Sequence, residues 1–174
     1  MKKKIVLIGM MGSGKSTIGK ILSKTLKLNF IDADILIEKK CGLKIKKIFD
    51  KYGERYFREK EEKIVLNVLL NDKTPCVLAL GGGAFLNKKL QKIILKKTIS
   101  VWLDANLELI YKRCKKSNKR PLLYESNDKK IKKTIKNLLK IRNPIYSKAK
   151  FVVKTNEEPS KVCDKILICI KNLI

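Results

Sequence analysis

The chain has 174 residues and carries Lys+Arg 42 against Asp+Glu 16, a formal charge of +26. That length suits one domain with a sizeable core; 44% hydrophobic and 33% charged residues exclude a disordered chain, and no run approaches the ~18 apolar residues of a membrane span. Histidine is absent, which removes imidazole acid–base chemistry, Ser-His-Asp triads and mixed Cys/His zinc sites and leaves carboxylates, lysine, arginine, hydroxyls or a bound metal.

In chain order, Lys4 to Ile8 reads as a strand, and the helical spacing of Ile18, Ile21, Leu22, Thr25 and Leu26 predicts a helix over Lys15 to Leu28. Asn29 to Asp32 reads as a second strand, followed by helices over Ile35 to Lys40 and Leu43 to Tyr52 with Gly42 between them, then a longer helix from Gly53 to Leu70. Cys76 to Leu80 is a continuous apolar run, as expected of a strand buried on both faces of a parallel sheet. Helix is predicted over Asn87 to Leu95, strand over Ile99 to Leu103 and helix over Asn106 to Lys116. Phe151 to Val153 is the last strand, and Pro159 opens the last helix, which runs to Leu173. The alternation predicts an α/β fold: a three-layer sandwich with a parallel sheet of about five strands, helices on both faces, and ligands at the carboxyl ends of the strands. The polar segment from about 117 to 128 breaks the alternation and is the candidate mobile lid of a single domain spanning 1–174.

Of the basic residues 37 are lysine and five are arginine: Arg55, Arg58, Arg113, Arg120 and Arg142. The lysines are dispersed and not interleaved with aromatics, so a solvated lysine-rich surface is favoured over a nucleic-acid patch, and the arginines mark positions that need a planar fork. The cysteines are odd in number and lack a C-x-x-C pair, which argues against a disulfide framework or a thiolate metal site and suits a reducing compartment. Met1-Lys-Lys-Lys4 and the apolar stretch after it run into a glycine loop without a cleavage pattern, so the chain is expected to be cytoplasmic.

Gly9-Met-Met-Gly-Ser-Gly14-Lys15-Ser16 satisfies G-x-x-x-x-G-K-[ST] between a strand and a helix. In this loop, from Gly12 and Ser13 to Thr17, successive N–H groups curl around phosphate oxygens. Lys15 would bridge the outer phosphates, and Ser16 would ligate Mg²⁺. ATP, with GTP second, is the implied nucleotide. The buried strand at Cys76 to Leu80 ends in Gly81-Gly82-Gly83 and not in an acid, so Asp32, on the same sheet edge, is the candidate second metal ligand, through water.

Asp34 follows Asp32 by two; it either orients an acceptor hydroxyl and takes its proton or caps the helix that follows. Arg58 and Glu61 align with the stripe of Phe57, Ile64, Val65 and Val68, and Arg142 continues the face of Ile131, Ile135 and Leu138. Charges on buried faces suggest a cavity, although an i, i+3 ion pair remains open for Arg58 and is the preferred reading for Arg55. Two arginines and the N–H groups of Gly81 to Gly83 would hold a small carboxylate, unless the glycines only form a close-packed turn.

In Gly9 to Thr17, Asp32-Ala-Asp34, Gly53-Glu-Arg-Tyr-Phe-Arg58 with Glu61, Leu80-Gly-Gly-Gly-Ala84, Lys119-Arg-Pro-Leu-Leu123 and Arg142-Asn-Pro-Ile-Tyr146, the chain resembles the shikimate kinases over essentially its whole length. The resemblance implies a P-loop kinase-type fold and phosphoryl transfer from ATP to the 3-hydroxyl of shikimate with Mg²⁺. It also implies shikimate held by Asp34, Arg58, Gly81, Gly82, Gly83 and Arg142, with Arg120 closing over the phosphoryl group. Arg113 and the loop from Thr155 to Pro159 match the family's adenine-contacting positions. The expected partners are ATP and shikimate, with no nucleic acid and no membrane, acting on a monomer. Another small-molecule kinase of this fold, such as a gluconate kinase, and a nucleotide-dependent nucleic-acid-binding protein are the competing expectations.

Overall fold

The computed structural model describes residues 4–72, 74–115 and 127–173. Five short strands carry the sheet: β1 (Ile5–Ile8), β2 (Asn29–Asp32), β3 (Cys76–Ala79), β4 (Ile99–Asp104) and β5 (Phe151–Lys154). All pair in parallel in the order β2-β3-β1-β4-β5. The two central strands are the continuous apolar runs: every residue of β1 and β3 is buried, because helices cover both faces. The expected α/β sandwich is therefore present.

Seven helices flank the sheet among the described residues: α1 (Lys15–Leu26), α2 (Ala33–Cys41), α3 (Ile45–Leu70), α4 (Lys88–Lys97), α5 (Leu107–Lys115), α6 (Asp128–Tyr146) and α7 (Pro159–Ile170). Helices α1 and α7 pack with Leu7, Val77, Val101 and Val153 on one face. On the other face Val6, Leu78 and Trp102 meet residues of α3, α4, α5 and α6. A third, smaller cluster of Ile37, Ile48 and Phe57, with Phe49 and Ile64 against it, ties α2 to α3 away from the sheet. This satellite core fixes the two helices that carry Asp34 and Arg58.

Several boundaries differ from expectation for identifiable reasons. The helices expected over Leu43 to Tyr52 and Gly53 to Leu70 adjoin as expected within α3, which starts at Ile45 and kinks at Gly53, whose φ of 79° and ψ of 171° are open to glycine and strained for other residues. Asp128, expected in the lid, is the first residue of α6, with Asn127 Oδ1 accepting from Lys129 N at 2.9 Å as its cap. A short 3₁₀ turn, Ala84–Leu86, follows the glycine run and was not anticipated. Residues 117–126 of the candidate lid, including Lys119, Arg120 and Pro121, lie outside the described residues.

Candidate active site

Strand β1 delivers the chain into the phosphate loop, and the loop ends on Gly14, the N-cap of α1, with φ 99°. Lys15 Nζ turns back over this loop and donates to Gly9 O and Met10 O, each at 2.9 Å. Ser13 is fully buried within it, while Ser16 and Thr17 are exposed on the first turn of α1. Arg113, on α5, donates from Nη1 to Gly12 O at 3.0 Å, so the structure brings this arginine onto the loop.

Ser16 Oγ donates to Asp32 Oδ2 at 2.6 Å. The other carboxylate oxygen, Oδ1, accepts from Asp34 N at 3.1 Å and Ile35 N at 3.4 Å. Asp32 is thus the N-cap of α2, and the capping alternative for Asp34 is corrected: its carboxyl takes no part in the cap. Two hard oxygen donors, a hydroxyl and a carboxylate, meet beside the phosphate loop, a donor set that fits Mg²⁺ better than a softer metal.

Asp34 and Glu61 converge on Gly81. A Cβ built there would lie 2.8 Å from Asp34 Oδ1 and 2.6 Å from Glu61 Oε1. Burial, and then the neighbouring Asp32 charge, push the Asp34 carboxyl above the usual carboxylate range, while Lys15 and Arg58 pull it down. Burial likewise raises Glu61 against the opposing pull of Arg58. Glu61 is 2% exposed, and its Oε1 is a buried acceptor with no hydrogen-bond donor among the described residues.

Arg58 is clamped by acids one turn away on either side. Nη1 donates to Glu61 Oε2 at 2.6 Å; Nε and Nη2 donate to Glu54 Oε1 at 3.2 and 3.0 Å. Burial works against its charge, and the two glutamates more than offset that, so its pKa stands above the ordinary arginine value. The end of the guanidinium faces the glycine turn: a Cβ on Gly83 would meet Nη1 and Nη2 at 2.6 Å. The i, i+3 pair with Glu61 is therefore real, but it lies at a cavity wall. Arg55, by contrast, pairs with Glu59 at i+4 on the open surface, as an exposed ion pair.

Arg142 reaches the same turn from α6. It is 6% exposed, donates from Nη1 to Gly82 O at 3.3 Å and approaches Met10 Sδ at 3.6 Å. A cavity of about 300 Å³ is lined by Glu54, Arg58, Glu61, Gly83, Arg142 and neighbouring side chains. None of the three glycines has a positive φ; what they supply is room for charged groups to approach the backbone. Pro159 stands at the first position of α7, after a loop anchored by Thr155 N donating to Asp104 O at 2.9 Å.

Glu54 and Tyr146 are participants that the sequence reading left out of the site. Both lie four residues from a selected arginine, on the same helix face, and that spacing was the signal available.

The shikimate kinase family model matches residues 11–171. A shikimate kinase of Bartonella quintana is 39% identical over 174 residues, 99% of this chain and 80% of that protein. Another, from Francisella tularensis subsp. novicida, is 44% identical over 155 residues, 88% of this chain and 86% of that protein. Among solved structures, a shikimate kinase from Acinetobacter baumannii in complex with shikimate superposes with a TM-score of 0.91 at 34% identity, over 100% of this chain and 97% of that one. A gluconokinase from Sinorhizobium meliloti shares the fold alone, at a TM-score of 0.59 and 14% identity over 98% of this chain and 93% of that one. With Gly12 to Thr17 of the phosphate loop, the paired aspartates, Arg58 and Arg142 inside the matched span, this chain belongs to the shikimate kinase family.

Proposed function

We propose that the chain transfers the γ-phosphoryl group of ATP to the 3-hydroxyl of shikimate, giving shikimate 3-phosphate and ADP. The observation that carries this reading is the convergence of Asp34, Glu61, Arg58 and Arg142 on one glycine turn beside the phosphate loop. Two guanidinium groups and two carboxyls brought around one glycine turn fit a ligand that carries both a carboxylate and hydroxyls. Glu61 Oε1, which has no donor among the described residues, gains one from a hydroxyl-bearing ring acid.

In this reading Asp34 accepts a hydrogen bond from the attacking hydroxyl, orients its oxygen and takes the proton as the P–O bond forms. A raised carboxyl pKa favours that proton transfer. Lys15, released from Gly9 O and Met10 O, donates to the outer phosphates, and the loop N–H groups bind the oxygens around them. Ser16 and Asp32, the latter through water, hold Mg²⁺; the ion neutralises charge on the phosphates when bound. Arg113 and Pro159 flank the adenine, and Arg120 adds positive charge over the transferring group. The enzyme works as a cytoplasmic monomer on two small molecules, with no nucleic-acid partner; five cysteines that form no disulfide suit such a compartment.

A coupled assay of ADP formation offering shikimate, gluconate and nucleoside monophosphates in turn tests the reading. ADP production that requires shikimate supports it, and no turnover of shikimate removes it.

A further inference from the structure

Tyr146 has no part in the chemistry above, yet its environment is not that of a side chain present only for volume. It follows Arg142 by one turn of α6, is fully buried, and lies with its ring centroid 6.1 Å from that of Trp102 on β4. Phenylalanine would fill the same space; a buried phenol additionally requires a hydrogen-bond partner. The partner is Gly82 O, to which the Tyr146 hydroxyl donates. Arg142 Nη1 donates to the same oxygen at 3.3 Å. One carbonyl in the middle of the acceptor turn therefore takes two donors from adjacent turns of one helix, which fills its two lone-pair positions.

We propose that Tyr146 is a positioning residue for the acceptor pocket. Its hydroxyl holds the Gly82 carbonyl toward α6, and because the peptide is planar and trans the Gly83 N–H is held pointing the opposite way. With one lone pair taken by the phenol, Arg142 commits a single N–H to that carbonyl and keeps the rest of its fork for the substrate. Without the hydroxyl, the guanidinium slides further onto Gly82 O and withdraws from the carboxylate. This inference rests on the reading that Arg142 binds the acceptor's carboxylate.

The test is steady-state kinetics of Tyr146→Phe, which keeps the ring. The expected result is a rise in KM for shikimate of roughly tenfold, the loss of one buried hydrogen bond, with KM for ATP and kcat within about twofold. On an Arg142→Lys background the same change adds less than about threefold, because both residues act through one carbonyl. Trp102→Phe trims the same core without touching the hydroxyl and is expected to lower the melting temperature while leaving KM for shikimate within about twofold. An unchanged KM for shikimate in Tyr146→Phe, full additivity with Arg142→Lys, or an equal rise in Trp102→Phe overturns the proposal while leaving the kinase reading intact. Failure of the wild-type protein to phosphorylate shikimate overturns both.

Discussion

Ser16 and Asp32 are joined by a 2.6 Å hydrogen bond that links the first turn of α1 to the carboxyl end of β2. Asp32 does two jobs with its two oxygens: Oδ2 faces the phosphate loop, and Oδ1 caps α2. The roles separate by substitution. Asp32→Asn keeps a capping oxygen and loses the charge, so it is expected to weaken the apparent affinity for Mg²⁺ in kinetics by about tenfold or more with little change in stability. Asp32→Ala loses both and is expected to cost about 1 kcal/mol in addition, read by denaturant unfolding. An unaltered Mg²⁺ dependence in Asp32→Asn would contradict the metal assignment.

Gly83 tolerates a side chain conformationally but not spatially. Its φ is negative, and a Cβ would meet the Arg58 guanidinium at 2.6 Å. Since the obstructed group is the far end of a flexible side chain, Gly83→Ala is expected to displace Arg58 and leave the fold in place. KM for shikimate should rise tenfold or more, ~1.5 kcal/mol, with the melting temperature nearly unchanged. A large loss of stability with KM unaltered would show that the turn serves packing alone.

The contrast between Gly83 and the phosphate loop explains how much was legible in the sequence. The loop is read from covalent spacing, because its function depends on consecutive N–H groups. Strands β1 and β3 are legible because burial on both faces leaves unbroken apolar runs. Arg58 and Arg142 stood out because each continues an apolar helix stripe, which a solvated arginine has no reason to do. What depends on tertiary approach was not legible. The choice of Asp32 over Asp34 as cap turns on the backbone conformation at the end of β2, and the requirement for glycine at Gly83 turns on a side chain from α3. Tyr146 was hidden because a tyrosine at helical spacing in an apolar face reads as core until its hydroxyl partner is seen.

The Asp34 carboxyl titrates above its usual 3.8, raised first by burial and then by Asp32. Below that raised value the proposed proton acceptor is neutralised, so the acid limb of kcat/KM should lie above the ordinary carboxylate range and vanish with the activity in Asp34→Asn, a loss of roughly 10²–10⁴-fold. Stability moves the other way. A carboxyl whose folded value exceeds its unfolded one contributes stability fully below the unfolded value and loses it as pH rises through the folded one. Asp34→Asn is therefore expected to melt above the wild type at pH 7, with the gap closing as pH falls to about 4. A variant melting at or below the wild type at neutral pH would contradict the burial argument.

Lys15 lies in the phosphate loop, whereas the cavity proposed for the acceptor is lined from α3, α6 and the glycine turn. Lys15→Ala is expected to lower kcat by about 10³-fold or more, since phosphoryl transfer depends on positioning and charge stabilisation. Shikimate binding, followed by calorimetry, should remain within a few-fold of the wild type. Loss of shikimate binding in this variant would mean that the two sites are not separable as described.

The most direct measurement is the electron density of a crystal grown with ADP and shikimate. The account predicts the carboxylate between Arg58 and Arg142, a ring hydroxyl on Asp34, and that hydroxyl turned toward the phosphates held by Lys15. Shikimate bound elsewhere, or with its carboxylate away from both arginines, would contradict it.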